Sequence, residues 1–278
     1  MLTVPAITVC IIGYNEEVNL AKCIASVKGW ATDVWLVDSY SNDRTITVAE
    51  RAGARTVQHR FLHWADQRNW ALDNIPFDTE WVQFLDADEE MTAPARIELD
   101  TLLAEATPDV AAVSIVTRLT FLGRELERAY SHPHVVRVVR RGRARWLAQG
   151  AREYTCVDGR TVRLNAKLRH EDIRGLSHWL SKQIRNAVRE ANSSIIGESI
   201  GLAGVRGPQR MRLRVRMAIW DKLPGITRSA LYFVYRYILC LGFTEGTAGF
   251  LFCFYHAFWL PLTAAALREE FEQGQWRR

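Results

Sequence analysis

Apolar residues in the first ninety positions recur with two different periods, which predicts alternating strands and helices. A nearly continuous apolar run at 7–12 is typical of a strand that is buried on both faces. Apolar residues then recur at helical spacing over 20–27, and Glu16 and Glu17 would lie in the first turn of that helix. The other predicted elements are strands at 34–37, 55–61 and 81–85, and helices at 44–51, ended by Gly53, and at 65–72. This alternation predicts an α/β fold with a doubly wound, mostly parallel sheet and helices on both faces.

The pattern changes beyond residue 110. Segments 111–122 and 135–140 are rich in β-branched residues and predict two more strands, and Gly142 marks a turn after the second. Apolar residues at helical spacing then predict one amphipathic helix over 175–195. No long flexible linker separates these elements from the first part, so we expect them to pack as one body.

The last segment, 201–278, is predicted to be a helical appendage. Residues 246–267 carry no formally charged side chain and are about long enough to span a bilayer, although His256 and Pro261 make the segment a poor span. A basic stretch beside an aromatic-rich apolar segment favours a protein that lies on an anionic membrane face, and a buried pair of core helices is the alternative. The basic stretch consists of Arg206, Arg210, Arg212, Arg214 and Arg216.

Cysteine usage and the N-terminus bear on the compartment. The five cysteines are scattered without a C-x-x-C pair, which argues against a disulfide framework and a zinc site and indicates a reducing compartment. The N-terminus has no basic region before its apolar run, so we expect a first strand rather than a secretion signal. The net charge is +5, but the arginine cluster is not accompanied by a recognisable nucleic-acid module, so no nucleic-acid partner is expected.

Polar residues follow three of the predicted parallel strands, at 13–16, 38–41 and 86–88. The carboxyl ends of parallel strands lie at one edge of a sheet, so these segments should converge on one crevice. The chain has neither G-x-G-x-x-G after the first strand nor a Walker A motif, so phosphates bound there would have to be neutralised by another route. Asp43 precedes a helix start and is interpreted as an N-cap rather than as part of this group.

Asp86 and Asp88 offer such a route. Two carboxylates that are two positions apart at a strand end can face the same point, and their hard oxygen atoms suit Mg²⁺ or Mn²⁺. A divalent ion that bridges them to a diphosphate would offset their mutual repulsion. The alternative is that this short motif arises by chance and that Glu89 and Glu90 begin a solvated helix. Where the metal is bound, these two glutamates are expected to have indirect or surface roles.

Four motifs occur together in the first third of the chain, "ITVCIIGYNEE", "VWLVDSYSNDRT", "ADQRNWAL" and "WVQFLDADEE". In this order and at this spacing they resemble the family 2 inverting glycosyltransferases, which have the GT-A fold. The chain looks most like the bacterial lipopolysaccharide-core β-1,4-glucosyltransferases, and a looser likeness extends through "RVVRRGRARW", the His170 region and "YILCLGFTEGTAGF". The resemblance implies a nucleotide-sugar-binding half at 1–110 and an acceptor-side half at 111–200.

The resemblance also implies roles for single residues. Tyr14, Asn15 and Glu16 would line the nucleotide pocket, although relatives often have lysine where this chain has Tyr14. Asp38 would accept a hydrogen bond from the base, commonly uracil, and Arg68 would approach the nucleotide or its diphosphate. The alternatives are that Asn15 is only a cap and that Arg68 is a surface residue of its helix.

Inverting transfer of a sugar needs a base that takes the proton of the acceptor hydroxyl. Glu153 is the candidate for this base, and Asp172 and Glu171 are the reserve candidates. Relatives often have His-Glu where this chain has Arg152-Glu153. The alternative for Glu153 is that it forms only a surface ion pair. Asp88 is the second predicted catalytic residue, acting at the departing diphosphate. His170 is predicted to complete the metal shell or contact phosphate, unless it is structural.

Taken together, the resemblance implies a metal-assisted hexosyltransferase. It would move a hexose, with glucose as the expected sugar, from a UDP-linked donor to a lipid-linked or lipopolysaccharide-core saccharide. The implied location is the inner face of the cytoplasmic membrane, with peripheral attachment. Two alternatives stay open at this point: a metal-dependent nucleotidyltransferase, which would release pyrophosphate, and a non-catalytic membrane-bound scaffold that binds sugar nucleotides.

Overall fold

The computed structural model describes residues 6–149, 152–195 and 223–273, which form two compact units. The first unit contains the described parts of 1–120, 132–148 and 153–173, and the second contains those of 121–131, 149–152 and 174–278.

Eight strands form the main path of one sheet: β1 Ile7–Gly13, β2 Asp33–Asp38, β3 Arg55–Gln58, β4 Trp81–Asp86, β5 Glu89–Glu90, β6 Val110–Phe121, β8 Val135–Arg140 and β11 Arg160–Glu171. Their order in the sheet is β3-β2-β1-β4-β8-β6-β11-β5. Strands β3, β2, β1 and β4 run parallel, as the alternating sequence pattern predicts, and so do β6 and β11. The pairs β4–β8, β8–β6 and β11–β5 are antiparallel, so the predicted α/β fold is confirmed with a mixed sheet. Three further strands are β7 Arg124–Leu126 in the second unit and the separate pair β9 Ala144–Gln149 and β10 Arg152–Val157.

Four helices cover both faces of the sheet. They are α1 Leu20–Val27, α2 Thr45–Ala52, α3 Trp64–Asn74 and α4 Ala93–Ala104. Helices α1, α2 and α4 share one core cluster with Ile7, Val9 and Ile11 of β1, whereas α3 shares the other with Cys10 and Ile12. Successive side chains of a strand point to opposite faces, so the apolar run that predicted β1 supplies both cores.

One predicted helix end agrees with the structure and one predicted helix start does not. Helix α2 ends as predicted at Gly53, whose φ of 93° is the left-handed conformation that favours glycine. Helix α1 begins only at Leu20, so the prediction that Glu16 and Glu17 lie in its first turn is wrong. A separate turn precedes α1, in which the Glu16 carbonyl accepts hydrogen bonds from the Asn19 and Leu20 N–H groups.

The second unit is helical in its described C-terminal part. Its helices are α5 Gly175–Ile195, α6 Gly225–Phe233, α7 Gly246–Phe254 and α8 Leu260–Glu272. Helix α5 packs along α8, and its Trp179 contacts the rings of Phe252 and His256. π-helical turns at Val234–Leu239 and Tyr255–Trp259 and a 3-10 turn at Gly242–Glu245 connect α6, α7 and α8. The predicted boundary near residue 200 and the arginine cluster at 206–216 lie outside the described residues.

Candidate functional site

Strands β1, β2 and β4 end side by side. The register pairs Gly13 with Asp38 and Ile12 with Asp86, so the polar segments that follow the three strands begin at the same edge of the sheet. The predicted convergence of these segments is therefore confirmed. It follows from parallel pairing, which aligns carboxyl ends that are far apart in sequence.

The loops after β1 and β2 hold each other in place. The Asn15 N–H donates to Ser41 Oγ at 2.8 Å, and the Asn42 N–H donates to Asn15 Oδ1 at 3.0 Å. Asn15 and Tyr40 have φ values of 55° and 61°, the left-handed region that asparagine tolerates and tyrosine disfavours. Strain of this kind, about 1–3 kcal/mol per residue, concentrates at functional sites, and the rings of Tyr14 and Tyr40 are both exposed here.

Asp38 lies beneath this double loop and is fully buried. Its carboxylate accepts hydrogen bonds from the Ser41 N–H at 2.9 Å, from the Ser41 hydroxyl and from Gln58 Nε2 at 3.1 Å. These bonds compensate the cost of removing the carboxylate from water and fix the loop that carries Tyr40. The contact between Asp38 and a base stays a prediction.

Glu16 and Asp43 connect the loops to the adjacent helices. The Glu16 N–H donates to Thr45 Oγ1 at 2.7 Å, and its carboxylate accepts from Asn19 Nδ2 at 2.8 Å. Helix α2 begins at Thr45, one residue later than an N-cap at Asp43 requires, but the Asp43 carboxylate still accepts a hydrogen bond from the Thr45 N–H at 2.9 Å. Asn19 also donates to Asp172 Oδ1 at 3.1 Å, a contact that could not be predicted from the sequence.

Arg68 of α3 is buried inside the crevice, which excludes its interpretation as a surface residue. Its side chain is 4% exposed, its Nη1 donates to both carboxylate oxygens of Glu153 at 2.7 and 2.5 Å, and its Nη2 lies 3.3 Å from Asp86 Oδ1. The guanidinium also lies over the Trp146 ring, 5.9 Å from the centroid. One cation thus joins the metal candidate Asp86 to the base candidate Glu153.

The carboxyl group of Glu153 is a weaker acid than an ordinary glutamate. Burial raises the pKa of its carboxyl group above the ordinary value, and the positive charge of Arg68 opposes that rise without cancelling it. The side chain is still 25% exposed, so it is accessible from the crevice. Of the two reserve candidates, Glu171 pairs with Arg169 at 2.7 Å and Asp172 lies beside Asn19.

Arg137 of β8 is a site residue that the sequence analysis missed. Its Nη2 lies 3.1 Å from Asp86 Oδ2 and 2.5 Å from Glu89 Oε1, and its side chain is 9% exposed. Burial acts to lower the pKa of Arg137, but Asp86 and Glu89 outweigh it and hold the pKa above its ordinary value. The sequence feature that could have indicated Arg137 is its position between the valines of the strand predicted at 135–140.

Glu89 is buried and supports Asp86, in line with the indirect role predicted for it. Its Oε2 accepts a hydrogen bond from the Asp86 N–H at 3.1 Å. Burial raises the pKa of Glu89 to about 7, with Arg137 opposing and Asp86 reinforcing the rise. Glu89 and Glu90 form the short strand β5 instead of starting a helix, because β5 pairs with β11.

The β5–β11 pairing also places His170 opposite Glu89 in register, which brings its Nε2 to 3.3 Å from Asp88 Oδ2. Asp88 is 6% exposed, and its backbone carbonyl accepts from the Glu171 N–H at 3.0 Å. Within the described ranges there is no cluster of three or more His, Cys, Asp or Glu side chains that could hold a metal ion. A carboxylate and an imidazole fit a divalent ion whose other ligands come from substrate phosphate and water. Asp86 fits less simply, because both of its oxygens face arginines.

Gln67 is a second residue that the sequence analysis missed, although its motif was recognised. It is fully buried, and its Nε2 donates to Ser39 Oγ at 3.2 Å and to the His59 carbonyl at 3.1 Å. Its Oε1 has no hydrogen-bond partner among the described residues. Gln67 therefore ties α3 to the loop after β2 and leaves one acceptor available.

Comparison with known proteins gives partial matches. The chain is 35% identical over 103 residues to an uncharacterized glycosyltransferase of Rickettsia conorii, a match that covers 37% of this chain and 36% of that protein. It is 34% identical over 86 residues to the SPbeta prophage-derived glycosyltransferase SunS of Bacillus subtilis, covering 30% of this chain and 20% of the relative. The matches thus span about a third or less of the length of these relatives.

Two crystal structures have weaker likenesses. Glucosyl-3-phosphoglycerate synthase from Mycobacterium tuberculosis, in complex with Mn²⁺, uridine diphosphate and glucosyl-3-phosphoglycerate, gives a TM-score of 0.43 at 16% identity, with 68% of this chain and 80% of that chain covered. Staphylococcus aureus TarS gives a TM-score of 0.45 at 15% identity, with 98% of this chain and 93% of that chain covered.

The family comparison covers more than half of the chain. The model of the family described as "Glycosyl transferase family 2" matches residues 8–157, a range that includes β1 except Ile7, β2 to β4, Arg68, Arg137 and Glu153. The chain therefore belongs to glycosyl transferase family 2.

Proposed function

We propose that the protein is an inverting hexosyltransferase. It transfers a hexose, glucose in the first instance, from a UDP-linked donor to a lipid-linked or lipopolysaccharide-core saccharide. The single observation that carries this proposal is the position of Arg68, which contacts both Asp86 and Glu153 at the carboxyl edge of the sheet. A leaving-group side and a base side thus lie within the reach of one side chain.

The donor side holds opposite charges at short range. Arg68 and Arg137 lie against Asp86, and both arginines are nearly buried, so their interactions with a diphosphate would be weakly screened. Asp88 and His170, with Asp86, would hold Mg²⁺ or Mn²⁺, which as a Lewis acid would stabilise the departing diphosphate. Tyr14, whose ring is exposed on the loop after β1, would contact the nucleotide.

The acceptor side is assigned to Glu153. The acceptor hydroxyl oxygen attacks the anomeric carbon from the face opposite the diphosphate, so the new C–O bond forms while the bond to the diphosphate oxygen breaks. The hydroxyl proton passes to the Glu153 carboxylate. Because burial raises the pKa of this group, it is a stronger base than an exposed glutamate. A donor diphosphate would also compete for Arg68 and release Glu153 from its ion pair.

The acceptor is proposed to be lipid-linked, and the enzyme to be attached peripherally to the inner face of the cytoplasmic membrane. The support comes from the C-terminal part of the chain, where Gly242–Phe271 is apolar and mostly not buried against the rest of the protein, so its apolar side chains are available to lipid. An enzyme on the surface that holds its acceptor meets that acceptor at a high local concentration.

Product analysis tests the proposal. The purified protein is incubated with UDP-glucose and other UDP-, GDP- and TDP-sugars, with Mn²⁺, and with extracted glycolipid as acceptor. The expected products are UDP and a glycosylated lipid with inverted anomeric configuration. Pyrophosphate release would identify a nucleotidyltransferase instead. Binding of sugar nucleotides without turnover with any acceptor tested would support a scaffold.

A further inference from the structure

The outward surface of the C-terminal helices carries no charge over a long stretch. Between Arg228 and Arg268 the sequence has two formally charged side chains, Arg236 and Glu245, and both are buried at about 6% and 5% exposure. The described side chains that do face outward along this stretch are therefore uncharged.

The two buried charges are satisfied by one short backbone segment, 127–129. The Glu245 carboxylate accepts hydrogen bonds from the N–H groups of Glu127, Arg128 and Ala129 at 2.6, 3.0 and 2.9 Å. Arg236 donates from Nε and Nη2 to the Ala129 carbonyl at 3.0 and 2.6 Å. Since charge is costly to bury without such partners, these bonds fix which side of the helices faces inward.

Large apolar side chains cover the opposite side. Leu239 is 70% exposed and lies in the connection between α6 and α7. Leu241, two residues later, has the left-handed φ of 61°. Rings continue this surface from one segment to the other, with Tyr237 5.6 Å from Phe250 and Phe250 6.1 Å from Phe254. We call this the apolar hairpin surface; its outermost residues are Ile238, Leu239, Leu241, Phe243, Phe250 and Phe254, each at least 40% exposed.

We propose that the apolar hairpin surface inserts into the interfacial layer of an anionic lipid bilayer. Contiguous exposed apolar surfaces mark interaction sites, and aromatic residues favour the boundary between lipid headgroups and acyl chains. The arginine-rich stretch at 206–216 precedes the hairpin in sequence and complements negatively charged headgroups. The inference concerns the membrane partner of the proposed function and identifies the surface that binds it.

The packing of α5 shows why the hairpin lies in the surface rather than crossing it. Helix α5 packs along α8 and carries Lys182, Arg185 and Arg189. If α8 crossed the hydrocarbon layer, these charges would be drawn in with it, which is strongly unfavourable. Insertion of one face leaves α5 in water.

Vesicle co-sedimentation of the full chain without donor or acceptor tests the inference separately from glycosyl transfer. Vesicles of phosphatidylglycerol and phosphatidylcholine are compared with phosphatidylcholine alone. We expect preferential binding to the anionic vesicles, and we expect L239S/F243S to weaken it by at least about tenfold, because both side chains lose apolar area in contact with lipid. The matched control is Ile97→Ser on α4, which removes an equally exposed apolar side chain, 69% exposed, from the first unit.

The outcomes separate the alternatives. Unchanged binding by L239S/F243S, with a native thermal transition, would overturn the proposal, as would a lipid-free dimer that the same variant converts to monomer, since the surface would then serve self-association. Resistance to alkaline extraction from membranes would indicate a spanning segment and would also overturn it. Vesicle binding that persists in a protein without transferase activity would support this inference and count against the proposed function alone.

Discussion

Arg68 donates from a single nitrogen, Nη1, to both carboxylate oxygens of Glu153, while its second nitrogen reaches Asp86. The two carboxylates are thereby held by different nitrogens of one cation. An inverting displacement needs a leaving-group site and a base close together, because both act on the same sugar carbon. The relationship leads to the predictions that follow.

Replacement of Glu153 by glutamine keeps the shape of the side chain and removes its basicity. We expect E153Q to lower kcat about 100- to 10,000-fold, the usual contribution of a general base, with the Kd for the donor little changed. Steady-state kinetics and calorimetric titration with UDP-sugar measure the two quantities. Glu80→Gln, a change of an exposed glutamate that pairs with Arg140, is the control. A kcat within tenfold of wild type would remove Glu153 from the role of base.

The pH profile should reveal the same group. The pKa of Glu153 is raised above its ordinary value of 4.5, and the base acts only when ionised. We therefore expect kcat/KM to fall as the pH is lowered through a midpoint above 4.5. Because Arg68 opposes the rise in pKa, Arg68→Met should move the acid limb to higher pH. An acid limb at or below 4.5, or one that moves to lower pH in R68M, would contradict this assignment.

Metal dependence is expected to reside in Asp88. Chelation by EDTA should abolish turnover, and Mn²⁺ or Mg²⁺ should restore it. Asp88→Asn should weaken Mn²⁺ binding, followed by calorimetry in the presence of UDP, by at least about tenfold, because the carboxylate loses its charge. Asp78→Asn changes an exposed carboxylate and is the control. Full activity after exhaustive chelation would exclude a metal-assisted mechanism.

Arg137 should matter for stability as well as for activity. Arg137→Met leaves Asp86 and the buried Glu89 without their shared cation, and loss of one partner from a buried ion pair costs about 3–5 kcal/mol of unfolding free energy. Urea denaturation measures this loss, and the double variant R137M/E89Q should recover part of it. Arg145→Met, which breaks a half-exposed pair with Asp73, should cost about 1 kcal/mol or less. Equal effects of the two arginine changes would contradict the importance of burial.

The strained loop after β2 leads to a prediction of increased stability. Tyr40 adopts a left-handed backbone conformation that asparagine adopts more readily, so Tyr40→Asn should raise stability by about 1 kcal/mol. Thermal unfolding should show this as a Tm increase of about 2–4 °C. Tyr14 is similarly exposed but does not have a positive φ, so Tyr14→Asn should not raise the Tm in this way. A Tm that falls in Y40N would show that the ring contributes more than the strain costs.

The strands and helices of the first ninety residues could be predicted because each signal is local. A run of apolar residues that is buried on both sides, such as β1, differs visibly from the helical spacing in α1, and Gly53 marks the end of α2. The exact start of α1 could not be read in the same way. It depends on a turn in which the Glu16 carbonyl takes two N–H donors, and many sequences satisfy that turn.

The site residues divide along the same line. The meeting of Asp38, Asp86 and Asp88 at one edge of the sheet could be predicted, because polar residues that end buried parallel strands lie at the same edge. Arg137 and Gln67 could not, since their importance comes from partners that are distant in sequence. An arginine within a strand is ordinary until the neighbouring strand proves to carry an uncompensated carboxylate.

The sequence by itself determined the alternation of strands and helices, the family, and the edge of the sheet where the polar segments gather, because these follow from local periodicity and from motifs in fixed order. Only the tertiary structure decided which charges pair. Arg68 and Glu153 are 85 positions apart in the sequence. Glu245 accepts a hydrogen bond from the backbone N–H of Glu127, which is 118 positions away. Such pairings depend on which elements pack together, and burial then makes each unpaired charge too costly to leave alone.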